Sequence, residues 1–234
     1  MAKTGTGADT PRERYRAQLR EEVKRHAREQ IATAGASALS LNAIAKQMGL
    51  SGPALYRYFA GRDELITELV RDAYRSLADT LGAAAADGAD LAGLARTLRG
   101  WALADPQRYF LLYGTPVPGY HAPQDTAAVS DAIMRTLLDA CTAATPGAPR
   151  APEAPEAPEA PETAGTALAA HLAAHRDWVG DHPAPIGAIH RFLAFWTRLH
   201  GVLSLELAGH FGGMGFDPDL LFEAELEGLL APRF

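Results

Sequence analysis

Between residues 40 and 62 the chain gathers a dense set of polar donors. They are the hydroxyls of Ser40 and Ser51, the phenols of Tyr56 and Tyr58, and the guanidinium groups of Arg57 and Arg62. At the centre stands SGPALYRYF (residues 51–59), where Gly52 and Pro53, both disfavoured inside a helix, precede a run with helical pattern. Groups of these types hydrogen-bond and ion-pair to anions. Charge is distributed to match. Residues 1–62 hold 11 Lys/Arg and 5 Asp/Glu, a net of +6, and residues 63–234 hold 11 and 23, a net of −12. A basic head on an acidic body fits a polyanion-binding module joined to something else, although a solvated charged helix without a partner carries the same signature.

Other chemistry finds little support. There is no G-x-S-x-G, no phosphate-binding loop, no H-E-x-x-H and no dinucleotide fingerprint, so an enzyme reading has no motif behind it. His171 and His175 share a helix face with His182 nearby, a spacing that can begin a metal site. No carboxylate or Cys follows at ligand spacing, so neither a metal nor a cofactor is expected. The single cysteine, Cys141, cannot form an internal disulfide, which makes a reducing cytoplasm the simplest compartment. Apolar runs are broken well short of the ~18 residues a membrane span needs, and MAKTGTGADTPRERYR lacks the apolar core of a signal peptide.

The elements that must position these groups read as helices throughout. Residues 1–11 are expected to be a disordered tail. A helix is expected over 13–34, with Tyr15, Leu19, Val23, Ala27 and Ile31 as its apolar stripe. Ser40 suits the N-cap of a short helix at 41–48, and Ser51 that of a second at 52–58. A long helix follows over 63–86, carrying Leu65, Ile66, Leu69, Val70, Tyr74, Leu77 and Leu81. Further candidates are 89–103, 106–113, 125–145, 165–180, 185–211 and 217–230, with no sustained period-two alternation to suggest strands. The repeat APEAPEAPEAPE (151–162) favours an extended chain, so 145–163 is expected to be a mobile loop. The two short helices joined by Gly49 suggest a helix-turn-helix. Ala45 is small enough for a close crossing, and Ile44, Met48, Leu50, Leu55 and Phe59 are placed to share a core.

LSLNAIAKQMGLSGPALYRYFAGRDELI (39–66) resembles the DNA-binding region of the TetR family of bacterial transcriptional regulators. The resemblance is carried by the Ile44-Ala45 pair, Gly49, Ser51, LYRYF at 55–59, and a cation followed by two acids and Leu at 62–65. It covers about 50 N-terminal residues. It implies an all-α fold, with a helix-turn-helix domain at 12–62 and a ligand-binding and dimerisation domain at 63–234. It further implies a homodimer whose recognition helices enter the major groove of a pseudo-palindromic double-stranded operator. By that resemblance Ser51, Gly52, Pro53 and Ala54 face bases, and Tyr56, Tyr58, Arg62 and Ser40 take phosphates. Tyr56 and Tyr58 can instead pack on the first helix. Gly, Pro and Ala offer base edges no hydrogen bonds, so readout falls to methyl contacts, to Arg57 or to DNA shape.

For the acidic body the resemblance implies a ligand pocket and a dimer interface. Trp196, His200 and Gly201 match a spacing seen in one C-terminal type of the family. Trp101, Tyr109, Phe110, Tyr113, Phe195 and Trp196 are candidates for lining a site for a small apolar or aromatic ligand, with His200 as a polar contact, and each also suits a core. Leu168, Leu172, Leu193, Leu203 and Leu207 are candidates for a four-helix dimer interface, with Gly201 allowing close approach. The expected function is a ligand-responsive regulator, most simply a repressor. A DNA-binding structural protein without an effector is the alternative, with a helical enzyme behind it.

Overall fold

The computed structural model describes residues 10–114, 119–120, 127–144 and 164–231. Among them are ten α-helices, two 3-10 turns and no strand, so the fold is all-α. The helices are α1 (Pro11–Ala34), α2 (Leu41–Gln47), α3 (Gly52–Leu55), α4 (Arg62–Ala86), α5 (Leu91–Ala104), α6 (Pro106–Tyr113), α7 (Ala127–Ala143), α8 (Ala164–Ala174), α9 (Ile186–Leu207) and α10 (Pro218–Leu230). The 3-10 turns are Ala36–Ala38 and Asp177–Val179. Residues 1–9 of the expected tail and the Ala-Pro-Glu loop 145–163 lie outside the described residues.

The chain forms two compact units. The first comprises Met1–Tyr74 and Gln107–Thr126, the second Arg75–Pro106 and Ala127–Phe234. Helix α4 begins in the first unit and ends in the second.

In the first unit, α1 starts two residues before the expected Glu13. The Thr10 hydroxyl accepts from the Glu13 N–H at 3.3 Å, the Glu13 carboxylate takes the Thr10 N–H at 2.7 Å, and Pro11 fills the first helical position. The α1 stripe is only half realised. Val23, Ala27 and Ile31 are buried, Leu19 is half-buried, and Tyr15 is exposed because nothing packs on the first turns. The buried side of α1 meets Leu41, Ile44 and Ala45 of α2, Leu55 of α3, Phe59, and Leu65, Ile66, Leu69 and Val70 of α4, with Met48 and Leu50 packed against that core. Lys24 ties α1 to α4. Burial disfavours its charge, but hydrogen bonds to Asp72 and Glu21, each 2.6 Å away, outweigh that and raise its pKa.

The second unit is built around α9, which packs against α5, α7, α8 and α10. Its buried residues include Ile189, Phe192, Phe195, Leu199 and Leu203. Arg99 of α5 grips Glu206 of α9 through two hydrogen bonds (2.7 and 3.2 Å), pairs with Asp219 of α10 and lies over the Phe222 ring. Helix α8 ends at Ala174, not at the expected 180. Arg176 donates to the carbonyls of His182 (3.1 Å) and Ala184 (3.2 Å), and Gly180 at φ +61° completes the reversal.

Candidate functional site

Helices α2 and α3 are joined as a tight corner. Gly49 sits at φ +65°, a conformation in which a side chain is strained, and the Leu50 N–H reaches the Ala45 carbonyl at 2.8 Å to close α2. Ala45 is buried beneath the crossing. A Cβ on Gly52 would lie 3.3 Å from the Asn42 Oδ1, so the small residue also lets α3 approach α2.

The recognition segment is shorter than the expected 52–58. Regular α-helix ends at Leu55, and residues 56–58 continue as a tighter turn, with the N–H groups of Arg57 and Tyr58 reaching the carbonyls of Ala54 and Leu55. Two arginines of α1 take carbonyls of this turn. Arg16 donates to the Arg57 carbonyl at 3.4 Å, and Arg20 donates to the Tyr58 carbonyl. The Arg20 guanidinium also lies 4.3 Å from the Phe59 ring centroid and 3.7 Å from each of Glu64 and Glu68. One cation thus joins α1, the recognition turn and α4. Sequence reasoning missed Arg16 and Arg20. Their only signal was a pair of cations four residues apart along one edge of the α1 apolar stripe.

Ser51 precedes α3 but its hydroxyl does not cap it. Pro53 has no N–H to offer, and the Ala54 N–H goes to the Ser51 carbonyl at 2.9 Å. Ser51, Pro53, Tyr56 and Arg57 are exposed, while Gly52 and Ala54 are half-buried. Tyr58 is half-buried against the core. Ser40 caps α2, its Oγ accepting from the Ala43 N–H at 3.3 Å and its own N–H donating to Gln30 at 3.0 Å. Arg62 donates to the carbonyls of Ala36 and Ser37 at 3.0 and 3.4 Å, fastening α4 to the turn before α2. Ser51, Tyr56 and Arg57 therefore remain exposed, whereas Tyr58, Arg62 and Ser40 spend part of their bonding inside the head.

The seven ligand candidates fall into both units. In the first, Tyr109 is fully buried, its ring 5.6 Å from that of Phe110 and 5.4 Å from that of Tyr113, and Tyr74 stands edge-on to Tyr113. Burial, then the neighbouring phenols, pushes the Tyr113 hydroxyl far above its ordinary pKa. Thr67 hydrogen-bonds the Tyr120 hydroxyl at 3.1 Å beside this cluster. In the second unit, Trp101 is buried and its indole N–H donates to Ser76 at 3.1 Å, while Phe195 is fully buried. Trp178, Phe192, Trp196 and His200 form a continuous row of rings, with Trp196 and His200 centroids 4.1 Å apart. Burial lowers the His200 pKa to about 4, so the imidazole is neutral at pH 7. Trp178 and Phe192 were not among the expected residues.

Two of the expected interface leucines are core. Leu203 is fully buried and Leu172 nearly so within a single chain, leaving no surface for a partner copy. Leu168, Leu193 and Leu207 keep exposed area. Gly201 faces open space, so no approach within the chain depends on it. His182 is fully engaged. Its Nδ1 accepts from the Ala184 N–H at 3.1 Å, which leaves Nε2 to donate to Asp139 at 3.0 Å. His171 and His175 stack on each other and the His175 Nδ1–H donates to the His171 carbonyl at 3.0 Å, and no group of three or more His, Cys, Asp or Glu among the described residues could hold a metal ion. No helix among the described residues is long and apolar enough to cross a membrane.

Comparison with known proteins agrees with this geometry. Residues 25–69 match the family model for bacterial regulatory proteins of the tetR family, and residues 91–229 match that for the tetracyclin repressor-like C-terminal domain. The HTH-type transcriptional regulators Rv1816 of Mycobacterium tuberculosis and Mb1846 of Mycobacterium bovis are each 35% identical over 224 residues, covering 92% of this chain and 92% of theirs. The crystal structure of the regulatory protein SCO4313 superposes with a TM-score of 0.82 at 65% identity, covering 95% of this chain and all of that one. A Rhodococcus protein of unknown function shares the fold at a TM-score of 0.61 and 18% identity, over 97% of both chains. With a helix-turn-helix head matching one family model and a helical body matching another, the chain belongs to the TetR family of bacterial transcriptional regulators, DNA-binding proteins and not enzymes.

Proposed function

We propose that this regulator is a homodimeric repressor that binds a pseudo-palindromic operator and is released from it by a small apolar or aromatic molecule. The observation that carries this reading is the exposure of Ser51, Tyr56 and Arg57 on a helix-turn-helix with its own buried core. Ser51 to Ala54 meet bases in the major groove, Tyr56 gives its hydroxyl to a phosphate, and Arg57 reaches a base edge or the backbone. Ser40 offers a further phosphate contact. Tyr58 and Arg62 contribute mainly by holding the segment in place.

The effector is assigned to the body. The ring row ending at Trp196 and the neutral His200 suits a flat apolar molecule with one polar group. Trp101 and Phe195 then act chiefly as packing within the second unit, and Tyr109, Phe110 and Tyr113 as packing within the first. Exposed Leu205 and Leu220 join Leu168, Leu193 and Leu207 as apolar surface for the second copy. Because α4 is continuous from one unit to the other, a ligand that favours a different α4 tilt alters the spacing of the two heads, shifting the population away from the operator-binding form.

Linkage tests this. Apolar and aromatic compounds that raise the melting temperature of the free protein must lower its operator affinity by a matching factor. Stabilising compounds that leave operator affinity unchanged would instead support a DNA-binding protein without an effector, a reading favoured by the complete burial of Tyr109 and Phe195.

A further inference from the structure

Helix α1 changes electrostatically along its length. Arg20, Lys24 and Arg25 each pair with carboxylates: Glu64 and Glu68, Glu21 and Asp72, and Glu22 and Glu29, and the exposed Arg28 beyond them has no such pair among the described residues. In its first half, no carboxylate among the described residues pairs with Arg12, Arg14 or Arg16, nor with Arg57, the residue that Arg16 touches. Glu13, the one acid in the first turn, is spent on the Thr10 capping box, where hydrogen bonds to Thr10 hold its carboxyl below the usual range. Residues Pro11 to Gln18 are all exposed, so these two turns project beyond the core of the head. Unsupported turns at a helix end normally fray. Here the capping box and Pro11 keep them helical, so each side chain leaves the helix at a fixed point on its face.

One such face adjoins the recognition segment. Arg12 and Arg16 are one turn apart on one face, about 5–6 Å along the axis, and Tyr15 lies beside them. Arg16 fixes the face by its bond to the Arg57 carbonyl at the end of the recognition turn. The cationic row therefore adjoins the exposed recognition turn at Arg57 instead of forming a separate patch. A row of unneutralised guanidiniums held by a stiff helix, adjoining a turn that meets DNA, fits the phosphate backbone.

We propose that the first two turns of α1 are a second DNA contact, with Arg12 and Arg16 gripping phosphates just outside the half-site read by α3, and Tyr15 adding a phenol. The proposal rests on the operator-binding reading above and deepens it: the footprint of each head is longer than its helix-turn-helix alone would give. The ligand is the duplex backbone, and the contact carries no base preference of its own.

The test uses the full chain and an operator selected from a random-sequence duplex library. It is prepared in two lengths, one ending at the half-sites and one extended on both sides. Affinity is measured against salt for the wild type, Arg12→Gln and the R12Q/R16Q double variant. The wild type should bind the extended duplex more tightly than the trimmed one. Arg12→Gln should lose most of that gain and lower the salt slope by about 1.8, one phosphate per head in a two-headed complex. Base preference should stay unchanged. Arg12 is exposed and makes no hydrogen bond or ion pair among the described residues, so its loss leaves folding intact, which helix content by circular dichroism checks. Equal affinity and slope for wild type and variants on both duplexes, with selectivity retained, overturns this contact alone. Absence of any selected sequence for the wild type overturns the operator reading and this proposal with it.

Discussion

Two tyrosines two positions apart have different fates because of where they fall around one short turn. Tyr56 is exposed, and Tyr58 is packed against the core with its carbonyl held by Arg20. Tyr56→Phe should therefore weaken operator affinity roughly tenfold or more, the loss of one hydrogen bond to a charged acceptor, and Tyr58→Phe should change it less than twofold. A gel-shift titration of both variants reads this, and the opposite order would reverse the two roles. His200 gives a residue-scale prediction for stability. Its folded pKa, about 4, lies below the unfolded value near 6.5. Above pH 6.5 the group is neutral in both states and costs nothing. As pH falls the unfolded chain takes up a proton that the folded chain refuses, so stability declines until about pH 4. The loss should reach about 2 kcal/mol by pH 5, and a His200→Leu variant should lack that part of the decline in urea unfolding. Equal pH dependence in both proteins would remove His200 as its source.

At the scale of elements, the short helices were legible because local chemistry alone dictates them. Gly49, Ser40 and the Ile44, Leu55 and Phe59 pattern need no distant partner to be read, and the structure gathers all three side chains in one core. Gly49→Ala should cost about 1 kcal/mol through its positive φ, lower the melting temperature, and misplace α3 enough to weaken specific more than non-specific DNA binding. A variant as stable and as selective as the wild type would show that the corner tolerates a side chain. What the sequence hid was long-range. Arg20 looks like any surface cation until the turn at Tyr58 and the carboxylates of α4 are placed around it. The end of α8 was misread because periodicity runs on through Trp178, while the reversal depends on Arg176 finding carbonyls beyond Gly180. Leu172 and Leu203 looked available for a partner because heptad-like spacing does not say which neighbour covers a face. In the structure, neighbours within the chain cover them.

Across the whole molecule, charge divides the work: the basic, donor-rich residues stand in the first unit, and the acidic surplus stands chiefly in the second. Net repulsion between an acidic body and DNA leaves the head as the surface that can approach the duplex. The boundary between head and body was less legible. By contacts, α6 from Gln107 onward groups with the helix-turn-helix, through Leu111, Leu112 and Tyr120 against its core, and not with the helices that flank it in sequence. The central claim is that this head, as a symmetric pair, reads a specific operator. Selection of bound duplexes from a random-sequence library, followed by sequencing, tests it most directly. The account predicts one enriched motif made of two inverted half-sites, lost on substitution of Ser51 and Arg57. Enrichment that follows only composition or length, or a single half-site without an inverted mate, would contradict it.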